Sequence, residues 1–131
     1  MSKPNPKNLK YTSTHEWLKI EGGSAVCGIT DHAQELLSDI VFVELPEVGK
    51  KVSAGDSLAV LESVKSVSDL YAPVDGEVEE INTELENSPE LINKDAFGAG
   101  WIVKLKLDDP KEAEGLLSAG EYEASVQDSG E

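Results

Sequence analysis

Between residues 41 and 82 the chain is a succession of short strand-like runs cut apart by glycine and proline, and this pattern limits its fold more than any other feature. Val41–Leu45 ends at Pro46 and Gly49, and Ser57–Ser63 follows Ala54-Gly55-Asp56. Ser66–Ala72 closes on Pro73-Val74-Asp75-Gly76, and Glu77–Asn82 comes last. Strands this short, with turn residues instead of helices between them, favour a sandwich or barrel over any βαβ arrangement.

The flanking segments add a few more elements. Residues 1–10 are polar, hold two prolines and read as a loose lead-in. Trp17–Ile20 and Ala25–Ile29, joined at Gly22-Gly23, predict a hairpin. A helix is expected next, capped by Asp31 with Gln34 reciprocating, and with Ala33, Leu36, Leu37 and Ile40 on one face. Ser88-Pro89-Glu90 predicts one short helical turn. Trp101–Leu107 reads as a strand with Trp101, Val103, Leu105 and Leu107 on one face and Lys104 and Lys106 on the other. Asp109-Pro110-Lys111-Glu112 is expected to open a C-terminal helix holding Leu116 and Leu117, and residues 127–131 read as a disordered tail. A chain of 131 residues is too short to split into two proper cores, so 1–131 is expected to be one domain.

Charge narrows the function classes. Lys and Arg total 11 against 26 Asp and Glu, a formal net charge of −15. Such a surface repels nucleic acid phosphates and anionic membranes. It leaves solubility, or electrostatic steering toward basic surfaces on protein partners. Cys27 is the single cysteine, so no intramolecular disulfide can form. No apolar run approaches the roughly 20 residues needed to span a bilayer. The N-terminus lacks the features of a secretory or transit signal, and its initiating Met favours a bacterial cytoplasm. Cys27, His15 and His32 lack zinc-site spacing, and Cys27 sits in an apolar strand pattern that suits a buried structural thiol. No metal site and no enzymatic centre are expected.

The stretch that carries chemistry is Leu58-Ala59-Val60-Leu61-Glu62-Ser63-Val64-Lys65-Ser66-Val67-Ser68-Asp69-Leu70-Tyr71-Ala72-Pro73. It reads as two strands of similar length meeting at Val64-Lys65, without the Gly, Asn or Asp that a two-residue turn prefers. A lysine at that tip projects a primary amine on a flexible stem, which suits covalent modification and equally a solvated charge.

Glu62-Ser63-Val64-Lys65, with Ser66 to Pro73 and Gly76-Glu77-Val78 after it, resembles the lipoylation hairpin of glycine cleavage H proteins. Tyr11 and Thr14-His15-Glu16-Trp17 resemble that family's N-terminal signature. Gly28-Ile29-Thr30-Asp31-His32-Ala33-Gln34 and Val41-Phe42-Val43-Glu44-Leu45-Pro46 resemble its next blocks. Ser88-Pro89-Glu90-Leu91-Ile92-Asn93, Gly98-Ala99-Gly100-Trp101 and Leu116-Leu117 with Tyr122 resemble the later ones. The blocks lie in family order from about Tyr11 to Tyr122. Two positions depart from the pattern: Ser38 stands where glycine is usual, and Phe97 where tyrosine is common. Serine at a position needing positive φ would be strained by about 1 kcal/mol.

The resemblance implies a mainly β, barrel-sandwich hybrid of short antiparallel strands with a few peripheral helices, including a C-terminal one. It implies a non-enzymatic carrier with lipoic acid joined to Lys65 through an amide. Such a carrier takes an aminomethyl group from a pyridoxal-phosphate-dependent glycine decarboxylase to a tetrahydrofolate-dependent aminomethyltransferase. A dihydrolipoamide dehydrogenase reoxidises the arm, a lipoylating enzyme attaches it, and a monomer suits a shuttle that visits them all. Thr14, Glu16 and Asp69 are the positions expected to line a cleft for the loaded arm, with surface charge as the plainer reading of the two acids. Glu62 is expected to help the lipoylating enzyme recognise the tip. A homologue that relays lipoyl groups, or another lipoyl or biotinyl carrier, would use the same lysine; biotin carriers, however, flank it with methionines, where this chain has Val64 and Ser66.

Overall fold

The chain reverses at Gly22, whose φ of 64° suits the first central position of a two-residue hairpin turn. The structure, a computed structural model, describes residues 5–128. Its strands are β1 (Lys10–Tyr11), β2 (Glu16–Glu21), β3 (Ser24–Ile29), β4 (Ile40–Glu44), β5 (Lys51–Val52), β6 (Ser57–Ser63), β7 (Val67–Tyr71), β8 (Gly76–Ile81) and β9 (Val103–Leu107). Its α-helices are α1 (Asp31–Leu37), α2 (Leu91–Lys94) and α3 (Ala119–Asp128). One sheet has the order β1-β2-β3-β9-β8-β5 and the other β4-β6-β7, and every pairing is antiparallel. This is the mainly β, two-sheet architecture with peripheral helices that the short strands and the resemblance imply.

The main core is built from the inward residues of both sheets, among them Leu18, Cys27, Val43, Leu58, Leu61, Leu70, Val78 and Leu105. A second cluster of Leu9, Tyr11, Trp17, Ala119 and Tyr122 seats α3 on β1 and β2. Tyr11 and Tyr122 stack there with ring centroids 5.1 Å apart. Phe97, at the position where tyrosine is common, packs 6.2 Å from the Trp17 ring.

Several expectations are corrected by backbone hydrogen bonding. The lead-in is tied down at its end, because Leu9 is buried and Lys10 pairs with Leu18. Thr30, not Asp31, caps α1, accepting from the Ala33 amide at 3.2 Å, while Gln34 donates to the Asp31 side chain. Ile40 belongs to β4 and Leu36 faces solvent, so the expected helical face shortens to Ala33 and Leu37. Trp101 precedes β9 and packs on the second cluster instead of sharing a face with Val103. Asp109-Pro110 opens only a 3-10 turn over Pro110–Gly115. Leu117 then bridges to Tyr11, and the helix begins after Ser118. There Ser118 and Glu121 exchange side-chain-to-amide bonds of 2.9 and 3.2 Å, a capping box that overrides the proline signal. The backbone of residues 127 and 128 continues α3 where a tail was expected, and residues 129–131 lie outside the described part of the chain.

Ser38 ends α1 with φ 68° and ψ −153°, a region that only glycine enters freely. Its backbone is held on both sides: its amide donates to the Gln34 carbonyl at 2.9 Å, and its carbonyl accepts from Asn93 Nδ2 at 2.8 Å. The strain is of the order of 1–3 kcal/mol. Glycine would return part of that gain through the greater freedom of its unfolded chain, worth about 0.5–1 kcal/mol. Ser38→Gly is therefore expected to stabilise the protein by about 1 kcal/mol, read as a raised urea midpoint at unchanged slope. A lowered midpoint would mean that the serine side chain compensates for its backbone.

Candidate functional site

The β6–β7 hairpin places Lys65 at its tip, and the tip is built without any positive φ. Among the described non-glycine residues only His15 and Ser38 have one. The Ser63 amide donates to the Ser66 carbonyl at 2.8 Å, but the return bond runs from the Ser66 amide to the Ser63 hydroxyl at 3.1 Å. The Lys65 amide reaches the same hydroxyl at 3.3 Å. A side-chain oxygen thus replaces the backbone acceptor, the device by which serine closes turns without glycine. Below the tip, the Val64 amide donates to the Asp39 carbonyl at 3.0 Å, tying the loop after α1 to the hairpin end.

Lys65 is exposed, and among the described residues its ammonium makes no hydrogen bond or ion pair. Around it Val64 and Val67 are each 65% exposed. A bulge between Ile40 and Phe42 turns both Val41 and Phe42 outward beside them. Glu62 lies across from both Phe42 and Val67 and is half-buried in that row. The tip is therefore a free amine in an apolar collar with one flanking carboxylate.

Glu16 occupies a different kind of place. Its side chain belongs to β2 of the large sheet and is only 2% exposed. A turn closed by the His15 amide on the Thr12 carbonyl, with His15 at φ 71°, wraps Thr12 and Thr14 around the carboxylate. Both threonine hydroxyls donate to Oε1, and the Tyr71 amide, on the outer edge of β7, donates to Oε2 at 3.3 Å. One buried carboxylate thus joins the two sheets. Burial pushes its pKa up, and the hydrogen bonds from Thr12, Thr14 and Tyr71 only partly oppose that. Thr12 was not marked by the sequence pattern; its polar neighbour at Thr14 was the only local signal.

Thr14 and Glu16 are brought into contact as expected, but Asp69 is not bonded to either. Asp69 is exposed on β7, opposite Val60, and accepts from the Ser57 hydroxyl at 2.8 Å. It lies two residues before Tyr71 on the same strand face. At about 3.3 Å per residue, Lys65 stands roughly 13 Å from Asp69 and roughly 20 Å from Tyr71 along the strand. The acids therefore lie along the flank of the hairpin, away from its tip. Cys27 is fully buried, as its apolar pattern suggests, and burial raises its thiol pKa far above the usual range. His15 Nδ1 lies 2.7 Å from the Tyr122 hydroxyl, which also meets the Thr30 hydroxyl at 2.8 Å, so that histidine pins α3 to the start of β2. No helix among the described residues is long and apolar enough to cross a membrane.

Two small antiparallel sheets that hold out one unpartnered amine on a braced hairpin define the class: a carrier domain of the lipoyl and biotinyl type. Comparison with known proteins narrows this. The family model for the glycine cleavage H-protein matches residues 9–129. A glycine cleavage system H protein of Aeromonas hydrophila is 57% identical over 124 residues, which cover 94% of this chain and 96% of that one. One from Carboxydothermus hydrogenoformans is 52% identical over 126 residues, covering 96% and 97% of the two chains. The crystal structure of a glycine cleavage system H protein from Mycobacterium marinum superposes with a TM-score of 0.84 at 41% identity, over 97% of this chain and all of that one. The chain belongs to the glycine cleavage H-protein family, the lipoyl carriers of that system, which are not themselves catalysts.

The environment of Glu16 gives a pH test. A carboxyl whose pKa is raised on folding binds its proton more tightly in the native state. Its contribution to stability is therefore complete below the unfolded value of 4.5 and is lost as pH rises through the folded value. Glutamine can turn its oxygen to the Tyr71 amide and its NH₂ to the threonine hydroxyls, so Glu16→Gln keeps the contacts and removes the titration. Unfolding measured from pH 7 down to pH 4 is expected to show wild type gaining on the variant as pH falls. A gap that stays constant with pH would mean that the carboxyl is not perturbed.

Proposed function

We propose that this chain carries its lipoyl group on Lys65 and, as one carrier domain, shuttles the aminomethyl group of glycine between enzymes in a bacterial cytoplasm. The reading places it between a pyridoxal-phosphate-dependent glycine decarboxylase and a tetrahydrofolate-dependent aminomethyltransferase, with dihydrolipoamide dehydrogenase resetting the arm. The observation that carries it is the unpartnered Lys65 amine at a tip whose backbone is fixed by Ser63 and Asp39. An exposed amine with no ion pair fits amide formation, since no ion pair has to be broken before the deprotonated nitrogen attacks an activated lipoyl carbonyl. The ammonium first gives up one proton to become the nucleophilic amine. The bond then forms from Nζ to that carbon, the activating group leaves with its electron pair, and the nitrogen sheds a second proton to end as a neutral amide. When bound, the lipoyl group supplies a disulfide able to take up the aminomethyl cargo. Glu62, half-buried beside the tip, fits recognition by the lipoylating enzyme.

Intact and peptide mass spectrometry after incubation with a lipoate ligase, lipoate and ATP is expected to place one lipoyl mass on the Lys65 peptide and none on Lys65→Ala. No gain, with a competent control carrier modified in parallel, would remove Lys65 as the attachment point.

Thr14, Glu16 and Asp69 are proposed as the resting place of the cargo's amine. A carboxylate offers about four acceptor positions, of which the two threonine hydroxyls and the Tyr71 amide occupy three. Oε2, which accepts from the Tyr71 amide at 3.3 Å, is the oxygen proposed to meet the ammonium, and an ammonium there would reverse the burial cost that now raises the pKa of Glu16. A charge-assisted hydrogen bond of about 1.5–3 kcal/mol corresponds to roughly tenfold or more in occupancy. In the lipoylated, loaded carrier, Glu16→Gln is expected to release ammonia roughly tenfold faster than wild type without any partner enzyme. Equal rates would place the amine elsewhere.

A further inference from the structure

The Lys65 tip is supported from a place that no sequence neighbour suggests. Asn93, the third residue of α2, reaches across to the loop that follows α1. Its Nδ2 donates to the Ser38 carbonyl and to Gln34 Oε1, each at 2.8 Å, and its Oδ1 accepts from the Ile40 amide, also at 2.8 Å. These bonds grip the residues on either side of Asp39. Asp39 itself is exposed and uses its carbonyl to hold the Val64 amide at 3.0 Å. Three consecutive residues, Ser38 to Ile40, are thus fixed by one side chain at their ends and by the hairpin tip at their centre. Ser38 needs such a grip, since its φ of 68° is one that a serine backbone leaves when it can.

We propose that Asn93 is a positioning residue for Lys65: it locks the 38–40 loop so that the Asp39 carbonyl holds Val64, and so holds the adjoining lysine in the geometry that the lipoylating enzyme acylates. This deepens the reading of Lys65 as the attachment point and rests on it. The tip lies at the end of two strands, where the ladder is already frayed to a single backbone bond between Ser63 and Ser66. The Ser63 hydroxyl shapes the turn from within, but it moves with the turn. Beyond the Ile40–Ser63 pairing of β4 with β6, the Val64–Asp39 bond refers the tip to the body of the protein, and Asn93 holds the residues on either side of Asp39. Without it, Ser38 can relax toward an ordinary backbone conformation and carry the Asp39 carbonyl away. The tip would then be in the competent geometry for a fraction of the time, and the apparent affinity of a modifying enzyme would fall by that fraction.

The test uses full-length wild type, Asn93→Ala, Asn93→Asp, and Ile92→Val as a control that loosens the packing of α2 while keeping Asn93. In Asn93→Ala, the ligase KM for the carrier is expected to rise roughly three- to tenfold with kcat within about twofold, the equivalent of one ordinary hydrogen bond. Hydrogen exchange of the Val64 amide is expected to quicken by a similar factor while the β6–β7 ladder amides keep their protection. Asn93→Asp, which keeps the acceptor for Ile40 and loses the donor to Ser38, is expected to fall in between. Ile92→Val is expected to match wild type in both readouts. An unchanged KM and unchanged Val64 exchange in Asn93→Ala would overturn the proposal, as would an equal effect from Ile92→Val. If wild type is not acylated on Lys65 at all, the attachment reading fails, and Val64 exchange then decides alone whether Asn93 orders the tip.

Discussion

The hairpin that presents Lys65 depends first on the burial of its inner face against the large sheet. Leu58, Leu61 and Leu70 are all within a few per cent of full burial. Each such leucine contributes about 1.5–3 kcal/mol, whereas a single hydrogen bond adds a net 0.5–1.5 kcal/mol or so. A two-stranded hairpin alone is marginal in water, so this packing, with β4 as a third strand, is what makes the base of the Lys65 tip rigid. The polar contacts have another task. Asp39 to Val64, Ser63 to the turn amides and Glu16 to Tyr71 are too weak to hold the sheet on the core, but each is directional. Packing fixes that the hairpin exists, and hydrogen bonds fix where its tip and its edge point.

That division explains which parts of the molecule could be read from the chain. Apolar burial leaves a local periodic trace, so β6 was legible from Ser57 to Ser63 without error, and the β2–β3 hairpin came with its glycines. The place of Lys65 at the hairpin tip was legible because the turn composition around it is local as well, but its expected role came only from the family pattern. The two-residue strands β1 and β5 leave no period to detect. The start of α3 was hidden by competition: Asp109-Pro110 is the louder helix signal, and the Ser118-Glu121 capping box is the one the backbone uses. In the site, Thr14 and Glu16 were legible through the family pattern. The roles of Asp39 and Asn93 were not, because one acts through its carbonyl and the other across 53 residues of chain to Ile40. No pattern of side chains in a sequence reports a backbone acceptor.

Ser38 joins these two observations. A residue at positive φ with a side chain is a cost that most loops avoid, and this one lies one residue from the carbonyl that steadies the tip. The left-handed turn ends α1 and sends the chain directly into β4, so that Asp39 projects its carbonyl toward the hairpin end. Glycine would make the same turn with less strain and also with more freedom in it. The fold evidently tolerates serine because the Gln34 carbonyl and the Asn93 amide secure the backbone on both sides.

If Lys65 carries the proposed arm, the acidity of the chain bears on that arm in opposite ways at its two ends. At the tip, the proposed acylation of Lys65 would remove one of only 11 basic residues, making a protein of charge −15 one unit more negative. A neutral arm then has no electrostatic reason to lie on the surface, which suits a group that partners must reach. Once it carries an amine, the arm gains a positive end in a field that is negative almost everywhere, yet exposed carboxylates are screened by salt within about a Debye length of roughly 10 Å and hold little. Glu16 differs from them by being buried and already ordered by three donors. Its charge is costly in the empty state, as its raised pKa records, and that cost is the reason it prefers a cation more strongly than its many exposed counterparts do. On the proposed role of Glu16, a single desolvated carboxylate on the hairpin flank would distinguish a loaded arm from an empty one, where the general surface charge would not.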